Sequence, residues 1–295
     1  MSHPHKTQKY LGLSILLNVV ITVAQGVGGL ISGSLALLSD ALHNFSDVLS
    51  LLISFIANRY AKKAASNERT FGYKRAEIIA AFINAASLMI LASFLIYESI
   101  LRFITPEPIQ ADWVIALAIL GIIVNGLSVL LLHASSSENM NLKSAYLHLL
   151  SDMSASVAVL LGGVAMYYYQ WFWVDSLLTL GIAIYLLIMG YGLLKESFNI
   201  LMLFTPDSID LVQLRRAMKI DGRIDNIHHL HVWQVNEYEN HLEAHIDFTE
   251  NISLADFDQI LDKIEAVLLE QYGINHVNIQ PEYKKDDNKN IIVQD

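Results

Sequence analysis

From Leu11 to about Phe204 the chain is a succession of apolar runs separated by short polar breaks, and beyond that it patterns like a soluble domain. Six runs approach the roughly 20 residues that carry a helix across a hydrocarbon core: residues 11–31, 35–57, 78–100, 114–132, 145–168 and 172–194. The first and fourth carry no charge, the third has Glu98 near its end, and the sixth has Asp175 near its start. After a break at Thr205, Pro206 and Asp207 the periodicity changes. Residues 208–219 predict a helix, 227–235 and 241–248 two antiparallel strands, 254–272 an amphipathic helix stopped by Gly273, and 275–283 a third strand. The expected architecture is an α-helical membrane protein with six transmembrane helices (residues 1–204), followed by an α+β domain of order αββαβ (residues 205–295) with its helices on one face of the sheet. The closing stretch KKDDNKNIIVQD starts polar and is expected to be mobile.

Composition agrees with a membrane protein. Hydrophobic residues make up 54% of the 295 positions and charged residues 16%, against about 25% charged in soluble domains. The net charge of −10, without a strongly basic surface, argues against a nucleic-acid partner. There is no cysteine, which excludes disulfides, thiolate metal sites and thiol catalysis, so any metal must be held by histidine, carboxylate or backbone oxygen. Basic residues set the orientation. Lys6 and Lys9 precede the first run, six Lys and Arg between Arg59 and Arg75 follow the second, Lys143 precedes the fifth and Lys195 follows the sixth. Both termini and the even-numbered connections are therefore expected in the cytoplasm, which makes the C-terminal domain cytoplasmic. Tyr167, Tyr168, Tyr169, Trp171 and Trp173 form an interfacial belt at the opposite face. Residues 11–31 are too long and lack the small-residue cleavage pattern of a signal peptide. His3 and His5 are read as part of a solvated tail, and the link between the fourth and fifth runs is short, with one histidine, His133.

The second run carries Asp40, His43 and Asp47 through lipid. An ionised side chain at mid-membrane costs roughly 2.5–3.5 kcal/mol on insertion scales, and a bound cation would offset that. His43 and Asp47 are one helical turn apart, and His148 and Asp152 repeat the spelling His-x-x-x-Asp in the fifth run. One such pair could be an internal hydrogen bond that fixes helix packing. Two pairs with identical spacing in separate spans favour an N2O2 metal site for zinc, cobalt or related divalent ions. Two carboxylates, two neutral imidazoles and a divalent ion sum to zero charge, and so does the metal-free site with both imidazoles protonated. Exchange of one metal ion for two protons would keep the buried charge balanced. Matching the depths of the two pairs requires the fifth helix to start before residue 145 and end near Gly162 and Gly163. Asp40 and Asp175 could line an outer aqueous mouth or be helix-end carboxylates, and Asn18, Asn84 and Asn125 are read as interhelix packing groups. No His-Glu-x-x-His pattern of a metalloprotease occurs, which argues against an enzyme.

Four stretches give the chain a family likeness: GSLALLSDALHNFSD (residues 33–47), RTFGYKRAE (69–77), HLLSD (148–152) and HHLHVW (228–233). With these it resembles the cation diffusion facilitator family of zinc transporters over nearly its whole length. The resemblance implies six spans and a cytoplasmic ferredoxin-like domain. It also implies a homodimer in the plasma (inner) membrane that exports Zn2+ in exchange for protons by alternating access. On the family pattern His43, Asp47, His148 and Asp152 form the transport site, and histidine at position 43 favours zinc over cadmium. Arg75 and Asp207 match charged positions that could link subunits or be ordinary juxtamembrane charges. His228, His245 and Glu282 match a cytoplasmic metal site, Asp258 stands where some relatives have histidine, and His231 is a weaker candidate there. Gln280 replaces a histidine of some relatives, with His276 on the same strand face. The alternatives are a membrane metal sensor or channel using the same site, or an exporter of broader range that also takes Co2+, Cd2+ or Fe2+.

Overall fold

The computed structural model describes residues 4–133 and 140–293. His3 and segment 134–139 lie outside the described residues, as do the side chains of His5, Lys6, Lys9 and Lys143. Six long helices come first: α1 (Pro4–Ser32), α2 (Leu35–Ala61), α3 (Ala76–Ile104), α4 (Ala111–His133), α5 (Met140–Tyr169) and α6 (Trp173–Leu201). By length and apolar composition, α2 to α6 can each cross a membrane, and Leu16–Ser32 is an apolar stretch of α1. They are followed by α7 (Leu211–Met218), β1 (Ile224–Asn236), β2 (Glu239–Phe248), α8 (Leu254–Tyr272) and β3 (Ile274–Glu282), the αββαβ order read from the sequence. The chain divides into two compact units, residues 1–53 with 83–193 and residues 54–82 with 194–295.

The first unit has the polarity of a protein dissolved in lipid. Large apolar side chains such as Ile90, Leu130, Leu161 and Ile188 point outward, while Gln25, Ser39, Asp40, Asn44, Asn125, Asp152 and Asp175 are buried. α4 packs along α5 and α1, around a core that includes Leu37, Val114, Ala118, Val159 and Met166. The fifth helix begins before residue 145 but does not end at Gly162 and Gly163; it continues to Tyr169. The two glycines are points of close approach, not stops. A Cβ on Gly162 would lie 2.4 Å from Leu178 Cδ1 of α6, and one on Gly163 would lie 3.0 Å from Ile115 Cγ1 and 3.5 Å from the Ile115 backbone nitrogen of α4. Gly163→Val is therefore expected to push α5 off α4 and destabilise the bundle by about 1–3 kcal/mol, measurable as a lowered thermal midpoint of the detergent-solubilised protein; an unchanged midpoint would refute the packing role.

In the second unit the sheet order is β1-β2-β3, with β2 antiparallel to β1 and parallel to β3. Because side chains alternate along a strand, one face carries Ile227, Val232, Leu242, Ala244, Ile246 and Ile279, buried against Leu214 and Met218 of α7 and Phe257, Ile260, Ile264 and Leu268 of α8. The first soluble helix starts three residues later than the pattern predicts, because Asp210 caps it by accepting from the Val212 and Gln213 amides. These bonds hold the Asp210 carboxyl below its usual range. Ser253 caps α8, and Gly273 ends it with φ 63° in the left-handed region. The final segment is not loose. Residues 283–291 fold back on the sheet, where Asn290 and Ile291 carbonyls accept from the His229 and Leu230 amides at 3.2 and 2.7 Å. Its alternating charges find partners on β2 and β3, and Ile291 packs against the domain core.

Candidate metal centres

α2 presents His43 and Asp47 on adjacent turns, and α5 presents His148 and Asp152 in the same way. Asp47 lies between the two imidazoles: its Oδ2 is 3.7 Å from His43 Nε2 and 3.3 Å from His148 Nε2. His148 Nε2 is also 3.5 Å from Asp152 Oδ2. The rings of His43 and His148 meet edge to face with centroids 6.0 Å apart. Ligand atoms of His43, Asp47 and His148 all lie within 4.8 Å of one another. Tetrahedral coordination with bonds of ~2.0–2.1 Å has ligand–ligand edges of about 3.3–3.4 Å, so these separations are close to those of a coordination shell. Asp152 is the buried member, its side chain 3% exposed; His43 is half-buried at 15%, while Asp47 and His148 reach outward at 34% and 41%. His43 Nδ1, Asp47 Oδ2 and Asp152 Oδ2 are buried without a hydrogen bond. Unsatisfied acceptors converging inside an apolar bundle are what a cation would satisfy.

Asp40, one turn before His43, is buried and accepts a 2.8 Å bond from Gln25 Nε2. With His43 and Asp152 it lines a cavity of about 270 Å3 whose far wall is Gly181, Ile182 and Tyr185 of α6. Asp175 has a different place. It is buried at the start of α2, where it accepts from Ser34 Oγ at 2.5 Å, Leu35 N at 2.7 Å and Ala36 N at 3.3 Å. It caps α2 from α6 and takes no part in the His43 cluster. Asn125 is buried and Asn18 half-buried, both with Oδ1 unpartnered, and Asn84 is half-buried in α3. Arg75 and Asp207 form no ion pair with each other among the described residues. Arg75 is half-buried and lines a cavity of about 580 Å3 with Phe71, Tyr73, Trp233 and Val235, and Asp207 is exposed. In the wall of that cavity Lys74 Nζ meets Glu239 at 2.5 Å, and the Phe71 ring lies 6.0 Å from that of His241.

The second group of metal-ligand types sits on the sheet face opposite α7 and α8. His228 pairs with His245 across β1 and β2, and His245 and Asp247 pair with Gln280 and Glu282 across β2 and β3, so all five project to one side. His228, His245, Glu282 and Asp287 bring ligand atoms within 4.8 Å of one another. His228 Nε2 is 3.4 Å from Glu282 Oε2 and 3.6 Å from Asp287 Oδ1, and His245 Nδ1 is 3.0 Å from Glu282 Oε1. Asp258 is exposed on α8, which packs on the other face of the sheet, and it does not join this group. His231 stays outside it too; its ring lies 4.9 Å from that of His229, which stacks on His245. His276 faces His241 at 4.3 Å. Gln280 Nε2 donates to Glu282 Oε1 at 2.7 Å. Sequence reasoning missed Asp247, Asp287 and the lysines among them. Burial lowers the His245 imidazole below its usual range. Burial would raise the Glu282 carboxyl, but bonds from Lys285, Lys289 and Gln280 bring it below its usual range.

Comparison with known proteins agrees with this layout. Residues 11–202 match the cation efflux transmembrane domain, and residues 206–284 match the cytoplasmic domain of cation efflux proteins. The chain is 37% identical over 298 residues to a cadmium, cobalt and zinc/H(+)-K(+) antiporter of Bacillus subtilis, covering 99% of this chain and 96% of that protein. It is 34% identical over 280 residues to the metal cation efflux system protein CzcD of Cupriavidus metallidurans, covering 94% and 87%. It is 36% identical over 260 residues to the zinc transporter ZitB of Escherichia coli, covering 88% and 82%.

Proposed function

The chain belongs to the cation efflux (cation diffusion facilitator) family, and on that premise we propose that this multi-pass membrane protein exports divalent metal, chiefly Zn2+, in exchange for protons. The observation that carries the reading is the convergence of His43, Asp47 and His148, whose ligand atoms lie within 4.8 Å of one another, with Asp152 3.5 Å from His148 inside the helix bundle. Zn2+ is the substrate of this cluster. It enters from the cytoplasm onto neutral imidazoles and two carboxylates, so the loaded site has no net charge. Rearrangement of the bundle opens the same cluster to the opposite side. Release is balanced by protons on His43 and His148, and the protonated site returns. Residues 1–204 are the transport domain; residues 205–295 are a cytoplasmic domain that joins two copies and carries the His228 cluster as a regulatory metal site. Arg75 and Asp207, unpaired with each other within one chain, are available to link the copies. Both termini lie in the cytoplasm and the membrane is the plasma (inner) membrane.

A broader cargo range is the second reading, favoured by the printed name of the Bacillus subtilis relative, which includes cadmium and cobalt. Reconstituted vesicles test both. Zinc is expected to move against an imposed pH gradient and to dissipate it, with cobalt and cadmium slower. Zinc flux indifferent to that gradient would defeat proton coupling, and equal rates for the three ions would defeat zinc preference.

A further inference from the structure

The returning C-terminal segment reaches the histidine-bearing face of the sheet through two unusual backbone positions. Lys284 turns the chain with φ 55°, and His229 sits in the left-handed region at φ 48° where β1 bulges between His228 and His231. The bulge turns the His229 and Leu230 amides toward Asn290 and Ile291. Between these anchors Lys289 is delivered into the second cluster. Its Nζ lies 2.7 Å from Asp247 Oδ1 and 3.0 Å from Glu282 Oε2, contacts Asp287 Oδ1, and approaches His228 Nε2 at 3.5 Å. Three carboxylates and an imidazole surround one ammonium, the groups that a divalent cation would use. Lys285 adds a second positive charge at 2.7 Å from Glu282.

We infer that Lys289 is a tethered resident cation of the His228–His245–Glu282–Asp287 cluster, and that a divalent metal binds there only by displacing it, peeling residues 288–291 from β1. The inference rests on reading that cluster as a metal site. A divalent ion held by His228 and Glu282 would sit beside the ammonium with like charge, so the two occupants exclude each other. Departure is feasible, because 35% of the Lys289 side chain is exposed; it breaks the ammonium's contacts with Asp247, Glu282 and Asp287, the two strap hydrogen bonds and the Ile291 contact. Asp287, two residues earlier, can stay as a ligand while the strap beyond it leaves. The strap then sets the metal concentration to which the cytoplasmic domain responds.

The test uses the full-length protein with the membrane site disabled by Asp47→Ala and Asp152→Ala, titrated with Co2+ and followed by its ligand-field absorption. Lys289→Met is expected to tighten Co2+ binding at the cluster by at least about tenfold, because the ammonium's three carboxylate contacts no longer have to be broken and one alone is worth about that factor. Lys284→Met, which removes a nearby charge outside the cluster, should leave the affinity unchanged. In the protein that keeps Lys289, Co2+ saturation should speed hydrogen exchange at the His229 and Leu230 amides. This readout does not depend on any Lys289 variant folding. Equal affinity with and without Lys289, equal gains from the two lysine variants, or amides still protected at saturation would overturn the displacement while leaving the cluster a metal site. No Co2+ binding at the cluster in folded Lys289→Met protein would overturn the metal-site reading itself.

Discussion

Vesicles carrying Asp152→Asn are expected to transport zinc at no more than about one hundredth of the wild-type rate. Asparagine keeps the shape of Asp152 and removes one charge, so the metal-loaded cluster changes from neutral to singly positive. An uncompensated charge within a span costs roughly 2.5–3.5 kcal/mol, which corresponds to a factor of about 10² or more. Asp152 is the buried carboxylate of the cluster, with its Oδ2 lacking a hydrogen bond, and the neighbouring Asp40 carboxylate is engaged by Gln25 Nε2 at 2.8 Å. Asp47→Asn should be equally severe for a geometric reason, since Asp47 Oδ2 is the atom lying near both imidazoles. Thermal unfolding of both variants should stay within a few degrees of wild type. Zinc flux above a tenth of wild type in Asp152→Asn would remove this carboxylate from the transport step, and a collapsed thermal midpoint would make the loss structural.

What could be read in the sequence follows from which interactions are local. A carboxylate and an imidazole four residues apart on a helix must share a face, so both halves of the first cluster were legible before any packing was known. The apolar runs were legible because lipid leaves a spanning segment only helix or closed barrel. Matching the depths of the two pairs ends the fifth helix near Gly162 and Gly163, whereas the close approach these glycines allow depends on Leu178 and Ile115, which come from other helices. The family likeness grouped His228, His245 and Glu282, which the strand pairing holds on one face, but Asp258 depended on which side of the sheet α8 packs. Asp247 falls on that same face two residues after His245, a signal that alternation offered. Lys289 and Asp287 enter the cluster through a chain reversal after Tyr283, and nothing periodic announces that return. The charges of the tail read as solvated because their partners, Glu282 and Asp247, lay on strands already assigned to the sheet.

Asp175→Ala is expected to lower stability by about 3–5 kcal/mol, the second large effect, and to reduce transport only as a consequence. The Asp175 carboxylate serves three donors at the start of α2, from Ser34, Leu35 and Ala36, in a site where the aspartate is 1% exposed. Alanine strands these donors away from water at about 1–3 kcal/mol each, toward the low end for Ala36 N, whose bond is long at 3.3 Å. It also removes the negative charge that faces the positive end of α2. A loss of that size should lower the thermal midpoint by on the order of 10 °C. Asp175→Asn keeps an acceptor oxygen and should recover about half of the loss. Because α2 carries His43 and Asp47 from this anchored end, transport should fall in proportion to the fraction unfolded at the assay temperature and recover on cooling. A carboxylate that instead bound metal at an outer mouth would behave oppositely: Asp175→Asn would abolish transport at every temperature and leave the melting curve where it was.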